Sequence, residues 1–199
     1  MAVCLYQGTF NPIHNAHLEV AKYVHEQFNF EKIVFVPAYK PPHKDLKNFT
    51  SENAMHRLNM IQLAIEEYPY FDVTVIEYLR GKPSYTYDTI VEIKNITGTE
   101  ERINIIIGTD AFQYIETWNN ADKLKELVHF ILFVREDNFD EKPFLNLKER
   151  GFNYKLMKMP FIDISSSQIR ERIKHNQDIC DIVPEKVAKY IYHNNVYKI

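Results

Sequence analysis

His14 and His17 lie three residues apart near the amino terminus, after a segment that contains Gly8 and Pro12. Residues at this spacing on a helix share a face, and the glycine and proline allow the chain to turn sharply into the helix. Backbone N–H groups of the opening turn and both imidazoles can then converge on one anion. Because an imidazole N–H can stabilise charge that develops in phosphoryl or nucleotidyl transfer, the pattern indicates a phosphate site.

Two other interpretations of His14 and His17 are a metal pair and ordinary polar capping of the helix. Zinc would need a third and a fourth ligand, and the sequence has no second cluster of cysteine and histidine at a suitable spacing. The sequence therefore predicts no metal bound by the protein itself. Capping stays open.

Far along the chain, Ser165, Ser166 and Ser167 precede a helical run that carries Arg170 one turn inside. Serine hydroxyls and the N–H groups of the opening turn can hold an anion, which a guanidinium at that position can reach. The same residues are also explained by helix capping with a solvent-exposed arginine, which is the simpler interpretation of an isolated cluster. A second anion-binding segment is the interpretation that the first motif favours.

Short runs rich in valine, isoleucine and phenylalanine alternate with segments of helical spacing such as Leu18, Ala21, Val24 and Phe28. We predict strands at residues 3–6, 32–36, 73–76, 103–107, 129–134 and about 153–159. This alternation predicts an α/β fold, a doubly wound parallel sheet with helices on both faces and with ligands beyond the carboxyl ends of the strands. We further predict an irregular surface loop at residues 136–149 and closing helices at 166–174 and 184–194.

The 199 residues, 45% of them hydrophobic, suffice for one core, and we expect a single domain over residues 1–199. A net charge of −3 disfavours a protein that binds nucleic acid through bulk charge. Cys4 and Cys180 are far apart in sequence, which is typical of reduced cysteines in a cytoplasmic protein. The sequence shows neither a signal-peptide pattern nor an apolar run long enough to span a bilayer.

Residues 8–18 resemble the nucleotidyltransferase signature GxFxPxHxGH, in the version typical of nicotinate-nucleotide adenylyltransferases. Ala16 replaces the usual glycine, and Gln7 replaces a common glycine. Residues 164–170, ISSSQIR, resemble the ISSxxIR motif of that family. With three further motifs in the same order, the resemblance covers almost the whole chain.

The further motifs lie between these two. Residues 40–44 resemble the family's PPHK loop, and residues 84–89 resemble its SYTxxT segment. A GxD sequence at residues 108–110 is followed by Trp118, as in the family, although Asn119 stands where the family often has tyrosine. Arg57 also matches a family arginine, with no contact assigned to it.

The resemblance implies a Rossmann-like fold with a small helical part from about residue 165 to 199. The implied reaction transfers the adenylyl group of ATP to nicotinate mononucleotide and gives deamido-NAD and pyrophosphate. It also implies Mg²⁺ that accompanies ATP, ATP and the mononucleotide as partners, and neither nucleic acid nor membrane as a partner. A homo-oligomer is left open.

By resemblance, the implied catalytic residues are His14, His17 and Arg170. The implied ATP-binding residues are Gly8, Thr9, Phe10, His14, His17, Gly108, Asp110, Ile164, Ser165, Ser166 and Arg170. The implied nicotinate-nucleotide-binding residues are Asn11, Lys44, Ser84, Tyr85, Thr86, Tyr87, Trp118, Asn119 and Arg135. Among these, Thr86 and the backbone of Tyr87 are expected to recognise the nicotinate carboxylate, while Trp118 is expected to stack on the pyridine ring.

Two alternatives remain beside this interpretation. One is a related adenylyltransferase that acts on nicotinamide mononucleotide or on phosphopantetheine, and the other is a nucleotide-binding homologue without catalysis. The presence of His14, His17 and Arg170 speaks against a loss of activity.

Overall fold

The computed structural model describes residues 2–42, 50–134, 140–160 and 162–198. Six strands form one sheet in the order β3-β2-β1-β4-β5-β6, and every pair of neighbours is parallel. The strands are β1 Val3–Gly8, β2 Lys32–Pro37, β3 Phe71–Val73, β4 Ile103–Gly108, β5 Val128–Val134 and β6 Tyr154–Lys158. The predicted doubly wound parallel sheet is confirmed.

Helices occupy the segments between and after these strands. They are α1 Asn15–Phe28, α2 Ser51–Ile65, α3 Ile76–Arg80, α4 Thr86–Thr97, α5 Thr109–Phe112, α6 Ala121–Leu127, α7 Lys142–Glu149, α8 Ser166–Lys174 and α9 Glu185–His193. A short 3₁₀ helix spans Ile115–Thr117. Within the described ranges, no helix is both long enough and apolar enough to cross a membrane.

The sheet is covered on both faces because successive strand residues point to opposite sides. Cys4 and Tyr6 of β1 lie in a core shared with α1, α2, α8 and α9, which we call the first face. Leu5 lies in a separate core shared with α3 to α7, which we call the second face. Strands buried on both sides explain the continuous apolar runs in the sequence.

Two predicted boundaries are wrong. Residues 73–76 were expected to form a strand, but β3 ends at Val73 and Ile76 begins α3. The hydroxyl of Thr74 accepts a hydrogen bond from the Ile76 backbone N–H at 3.3 Å, which turns the chain into the helix. Apolar side chains are buried in either structure, so the composition of this run did not separate the two.

The second error concerns residues 136–149, which were expected to form an irregular loop. Within that range, α7 spans Lys142–Glu149, with Pro143 in its first turn, where a proline is tolerated. Phe144 and Leu147, three residues apart, are both buried against the second face. The burial of these two side chains explains why this strongly charged segment forms a helix.

The strand order places a crevice at the end of the central strand. The chain leaves β1 toward β2 and β3 on one side and later returns to β4, β5 and β6 on the other. Connections diverge at this point, so the carboxyl ends of β1 and β4 frame an opening, the usual ligand position in such sheets. We therefore expect the binding site at this edge of the sheet.

Candidate active site

A cavity of about 420 Å³ lies beyond the carboxyl ends of β1 and β4, and Gly8 and Gly108, the last residues of these strands, line it. Elements from both faces of the sheet contribute to its walls. The sequence-predicted residues that line it are Gly8, Thr9, Phe10, His17, Ser84, Tyr85, Thr86, Gly108, Asp110, Trp118, Asn119 and Ser166. Pro41 and Pro42 line it as well, so the structure brings together residues from all five motifs.

The remaining predicted residues lie around this cavity or outside the described residues. His14 and Ile164 line a smaller neighbouring cleft, which shares His17 with the cavity. Tyr87, in the first turn of α4, packs against the second-face core. Asn11, Ser165 and Arg170 line neither space and make the contacts described below. Lys44 and Arg135 lie outside the described residues.

The two histidines form a stacked pair at the start of α1, with ring centroids 3.7 Å apart. The backbone N–H of His14, the N-cap residue, donates to Nδ1 of His17 at 3.3 Å. Because Nδ1 accepts this bond, the neutral ring of His17 carries its proton on Nε2. Capping is thus present, and it involves Nδ1 of His17, not the nitrogen that carries the proton of the neutral ring.

The turn between β1 and α1 depends on the absence of a side chain at Gly8. A Cβ atom there would lie 2.9 Å from Cζ of Phe10, which is closer than real Cβ contacts. The backbone of Phe10 has a φ of 48°, in the left-handed region, and its buried ring packs 5.0 Å from the His17 ring. Gly8 is therefore required because Phe10 turns back over it.

The segment before α8 meets the turn after β1, although the two are far apart in sequence. The hydroxyl of Ser166 donates to the Pro12 carbonyl at 2.8 Å, and Nη1 of Arg170 donates to the Asn11 carbonyl at 2.7 Å. Ser166 also lines the same cavity as His17. The two predicted phosphate-binding segments thus converge on one space.

Ser165 is the N-cap of α8, as the capping interpretation held. Its hydroxyl accepts from the Gln168 backbone N–H at 3.2 Å, and its own N–H donates to the Gln168 side chain at 2.7 Å. Ser167 accepts a hydrogen bond from Arg170 at 3.1 Å. The serine cluster therefore orders the helix start and the arginine, and the N–H groups of that turn are of a kind that suits an anion.

Arg57 is a residue whose contacts the sequence did not reveal. It projects from α2, is only 1% exposed, and donates to three backbone carbonyls: to Thr9 at 2.9 Å, to Ala38 at 2.6 Å and to Tyr39 at 3.0 Å. Burial lowers the pKa of its guanidinium. Arg57 thus joins the turn after β1 to the loop after β2, both of which line the cavity.

Tyr197, near the carboxyl terminus, is a second residue whose role was missed. Its hydroxyl donates to Oδ1 of Asn11 at 2.7 Å. Burial raises the pKa of this phenol, so it stays protonated as a donor. The amide orientation of Asn11 is thereby fixed by the last segment of the chain.

The second-face wall begins with the loop before α4. Ser84 exchanges two hydrogen bonds with Lys40: its hydroxyl accepts from the Lys40 N–H at 3.2 Å, and its own N–H donates to the Lys40 carbonyl at 2.9 Å. The loops that resemble the PPHK and SYTxxT motifs are thus joined. Thr86 opens α4, so the N–H groups of its first turn face the region lined by residues 84–86.

A second glycine at a strand end carries Asp110 beside it. A Cβ atom on Gly108 would lie 2.3 Å from Oδ1 of Asp110, so a larger residue there would require this exposed carboxylate to rotate away from the strand end. Trp118 is partly buried against the second-face core while one part of it lines the cavity. The ring is therefore both anchored and available for stacking.

These positions divide the site by chemistry. We call His14, His17, Ser166 and Arg170 the histidine side, because α1 and α8 pack on the first face of the sheet. We call residues 84–86, Asp110 and Trp118 the tryptophan side, because α4 and α5 pack on the second face. The histidine side offers one guanidinium and several N–H donors, which are suited to polyphosphate. The tryptophan side offers a carboxylate, hydroxyls and a flat ring suited to a nucleoside.

Within the described ranges, no group of three or more histidine, cysteine, aspartate or glutamate side chains could hold a metal ion. The prediction that the protein itself binds no metal is not tested by this observation and stays a prediction.

Comparisons with known proteins identify the family of the chain. Residues 5–172 match the family model described as cytidylyltransferase-like. A probable nicotinate-nucleotide adenylyltransferase of Staphylococcus haemolyticus is 38% identical over 197 residues, which are 99% of this chain and 97% of that protein. One of Lachnoclostridium phytofermentans is 36% identical over 195 residues, 96% of each chain.

Among solved structures, the fold is similar to that of Plasmodium falciparum nicotinic acid mononucleotide adenylyltransferase complexed with NaAD. The TM-score is 0.80 at 24% identity, and the match covers 98% of this chain and 97% of that one. At this identity the likeness speaks for the fold.

Proposed function

Because the chain belongs to the nicotinate-nucleotide adenylyltransferase family, we propose that it transfers the adenylyl group of ATP to nicotinate mononucleotide. The products are deamido-NAD and pyrophosphate. One observation carries the proposal beyond resemblance: His17 and Ser166, from segments far apart in sequence, line the same cavity as Thr86 and Trp118. A polyphosphate and a pyridine nucleotide would each meet suitable groups there.

In this reaction a phosphate oxygen of nicotinate mononucleotide attacks the α-phosphorus of ATP. The bond from that phosphorus to the bridging oxygen breaks, and pyrophosphate leaves. The nucleophile is already ionised at neutral pH, so no general base is required. The protein must align two anions and stabilise charge on the leaving group.

We assign the histidine side to ATP. The Nε2–H of His17 would donate to the phosphates at the reacting end of ATP, and the N–H groups at the start of α8 would hold the triphosphate. Arg170, already placed against the turn that holds Asn11, adds positive charge beside them. His14 acts chiefly by stacking on His17 and capping α1.

We assign the tryptophan side to the two nucleosides. Thr86 and the first-turn N–H groups of α4 suit the nicotinate carboxylate, and Trp118 suits its ring. Asp110, at the end of β4, suits ribose hydroxyls, which donate to a carboxylate. Two further residues are assigned to nicotinate mononucleotide. Asn119 lines the cavity, and Asn11 lies in the turn before α1, where it contacts Arg170 and Tyr197. Lys44 and Arg135 remain sequence-based expectations.

Mg²⁺ would enter as part of the substrate. This ion retains water and takes phosphate oxygens as ligands, so it requires no cage of protein carboxylates. Its contribution would be to neutralise charge on the triphosphate while the protein groups orient it.

The test is a pyrophosphate-release assay with ATP, Mg²⁺ and one acceptor at a time. We expect turnover with nicotinate mononucleotide and slower turnover with nicotinamide mononucleotide. A faster rate with the amide nucleotide or with phosphopantetheine would assign the chain to a related adenylyltransferase. Binding of ATP without pyrophosphate release for any acceptor would identify a non-catalytic homologue. Identification of deamido-NAD by mass spectrometry completes the positive result.

A further inference from the structure

Glu77 is a buried carboxylate that lies behind the tryptophan side. It belongs to the first turn of α3, is only 1% exposed, and is not among the residues that line the cavity. Burying a charged group is costly unless partners compensate for it. The burial of Glu77 therefore requires hydrogen-bonding partners that compensate for it.

Three segments that form the cavity walls donate hydrogen bonds to Glu77. Nε2 of Gln7, at the end of β1, donates to Oε1 at 2.8 Å, and the hydroxyl of Thr89 in α4 donates to the same oxygen at 2.7 Å. The backbone N–H of Tyr39, after β2, donates to Oε2 at 3.3 Å. One side chain thus joins β1, the loop after β2 and α4.

The charge of Glu77 is balanced by Arg80, whose Nη2 lies 3.9 Å from Oε1. Nη2 of Arg80 also donates to the hydroxyl of Thr89 at 2.8 Å, and its Nη1 binds Glu92 at 3.0 Å. The hydroxyl of Thr89 therefore accepts from the arginine and donates to the carboxylate. This chain of bonds holds the first turn of α4 against the end of β1.

Gln7 connects this network to the cavity, which it lines. The residue stands where the family signature commonly has glycine. Because a carboxylate accepts and does not donate, the nitrogen of the Gln7 amide must face Glu77, which fixes the orientation of the carboxamide. The cavity wall therefore contains the side chain of Gln7, whose orientation is fixed by Glu77, a residue outside the cavity.

We propose that Glu77 is a positioning residue for the acceptor nucleotide, acting through Gln7 and Thr89 on the tryptophan side of the cavity. This inference rests on the proposed function for the identity of the acceptor. Glu77 would not touch substrate. It would set the affinity for nicotinate mononucleotide and leave the binding of ATP largely unchanged.

The informative variant is Glu77→Gln, which keeps the shape and replaces one acceptor oxygen with a donor NH₂. Whichever oxygen is replaced, that donor faces another donor: Gln7 and Thr89 on one side, or the Tyr39 N–H on the other. We expect the KM for nicotinate mononucleotide to rise about tenfold, the usual effect of leaving a buried hydrogen-bonding group unpaired. The KM for ATP and kcat should change less than about twofold, because the histidine side, assigned to the triphosphate, is untouched and the network reaches the tryptophan side through β1 and α4, not through α5, which carries Asp110.

Three further single variants test the route of this effect. Gln7→Ala should raise the KM for nicotinate mononucleotide by a smaller factor, and adding it to Glu77→Gln should give much less than the product of the two factors. Glu92→Gln is the matched control, since it makes the same chemical change on the solvent side of Arg80 and should leave both KM values unchanged. Thr89→Val, which removes the hydroxyl that accepts from Arg80 and donates to Glu77, provides the test if Glu77→Gln does not fold.

Titration calorimetry with nicotinate mononucleotide and with a non-hydrolysable ATP analogue runs beside the kinetics. Weaker binding of the mononucleotide alone supports the inference. Equal losses for both ligands, a fall in kcat alone, or full multiplicativity of Gln7→Ala and Glu77→Gln would overturn it. If the unmodified protein binds the mononucleotide but gives no turnover, the proposed reaction fails while the positioning role can still be read from the binding constants. If it does not bind the mononucleotide, both fail.

Discussion

On the histidine side, the groups assigned to phosphate are held by contacts within and between the motifs themselves: His17 by the backbone of His14, and Arg170 by the Asn11 carbonyl. On the tryptophan side, part of the wall is held from behind by a residue that lines no part of the cavity, the buried carboxylate of Glu77. The histidine side is ordered by its own functional groups, whereas the tryptophan side depends on Glu77, which is not one of its functional groups.

This difference follows from the charge that each side must accommodate. Cationic and N–H groups can face a polyphosphate directly, and the same groups bind backbone carbonyls of the neighbouring turn. Glu77 lies outside the cavity, and its charge is balanced by Arg80 and not by a substrate group. Substitutions on the two sides should therefore alter different kinetic constants.

The largest effect is expected on the histidine side. His17→Ala should lower kcat by about two to three orders of magnitude, as for loss of one preorganised donor to transition-state charge. Steady-state pyrophosphate release measures it, and circular dichroism checks the fold. A folded variant with an unchanged rate would remove His17 from the reaction.

A stability effect of similar free energy is expected at Arg57, which joins the turn after β1 to the loop after β2. Arg57→Met keeps much of the apolar volume and leaves three backbone carbonyls without their donor, so the free energy of unfolding should fall by about 3 kcal/mol. Chemical denaturation measures the change. Arg102→Met is the control, because its partly exposed ion pair with Glu126 should contribute less than about 1 kcal/mol. Equal losses for both variants would contradict the structural role of Arg57.

The effect on the tryptophan side should be smaller and should appear in a different constant. Trp118→Ala removes ground-state stacking, so the KM for nicotinate mononucleotide should rise about tenfold with little change in kcat. Tyr114→Ala, at an aromatic residue that is 60% exposed, is the control. A change confined to the KM for ATP would place the ring at the adenine instead.

The smallest effect is expected at alkaline pH. Burial raises the pKa of Tyr78, whose hydroxyl donates to the Ala54 carbonyl at 2.8 Å, to about 12 from an ordinary value of 10. A folded-state pKa above the unfolded value means that the stabilisation is complete below pH 10 and is lost as the pH rises toward 12. Tyr78→Phe should therefore make the free energy of unfolding fall less steeply over this window, by about 1 kcal/mol.

Denaturant titrations at pH 9 and at about pH 11.5 measure the slope for Tyr78→Phe, and Tyr114→Phe is the exposed control. An identical slope in the Tyr78 variant and the unmodified protein would show that the phenol does not contribute. The stability of α3, the helix that carries both Glu77 and Tyr78, would then need another explanation.

Contiguous motifs made most of the cavity predictable from the sequence. Gly8, His17, Ser166 and Trp118 could be identified because each lies in a short pattern whose chemistry is local. The sheet could be predicted because strands buried on both faces are uniformly apolar. The error at residues 73–76 arose where an apolar run serves a strand end and a helix start together.

The supporting residues could not be predicted in the same way. Glu77, Arg57 and Tyr197 act through partners that are far away in sequence, and no local spacing connects them. A single glutamate in a short helix is, by composition, a surface residue. Only the fold shows that Glu77 is buried between β1, the loop after β2 and α4. The assignment to the cytoplasm and the expectation of Mg²⁺ with ATP stay predictions.

The ring of Phe10 fills the space that an alanine methyl group would need at Gly8, and the same ring packs against that of His17. Any substitution at position 8 would push against a phenyl group whose displacement is felt by the imidazole. A residue without a side chain thereby helps to set the position of the imidazole. A larger residue at the end of β1 would accordingly need a smaller side chain at position 10.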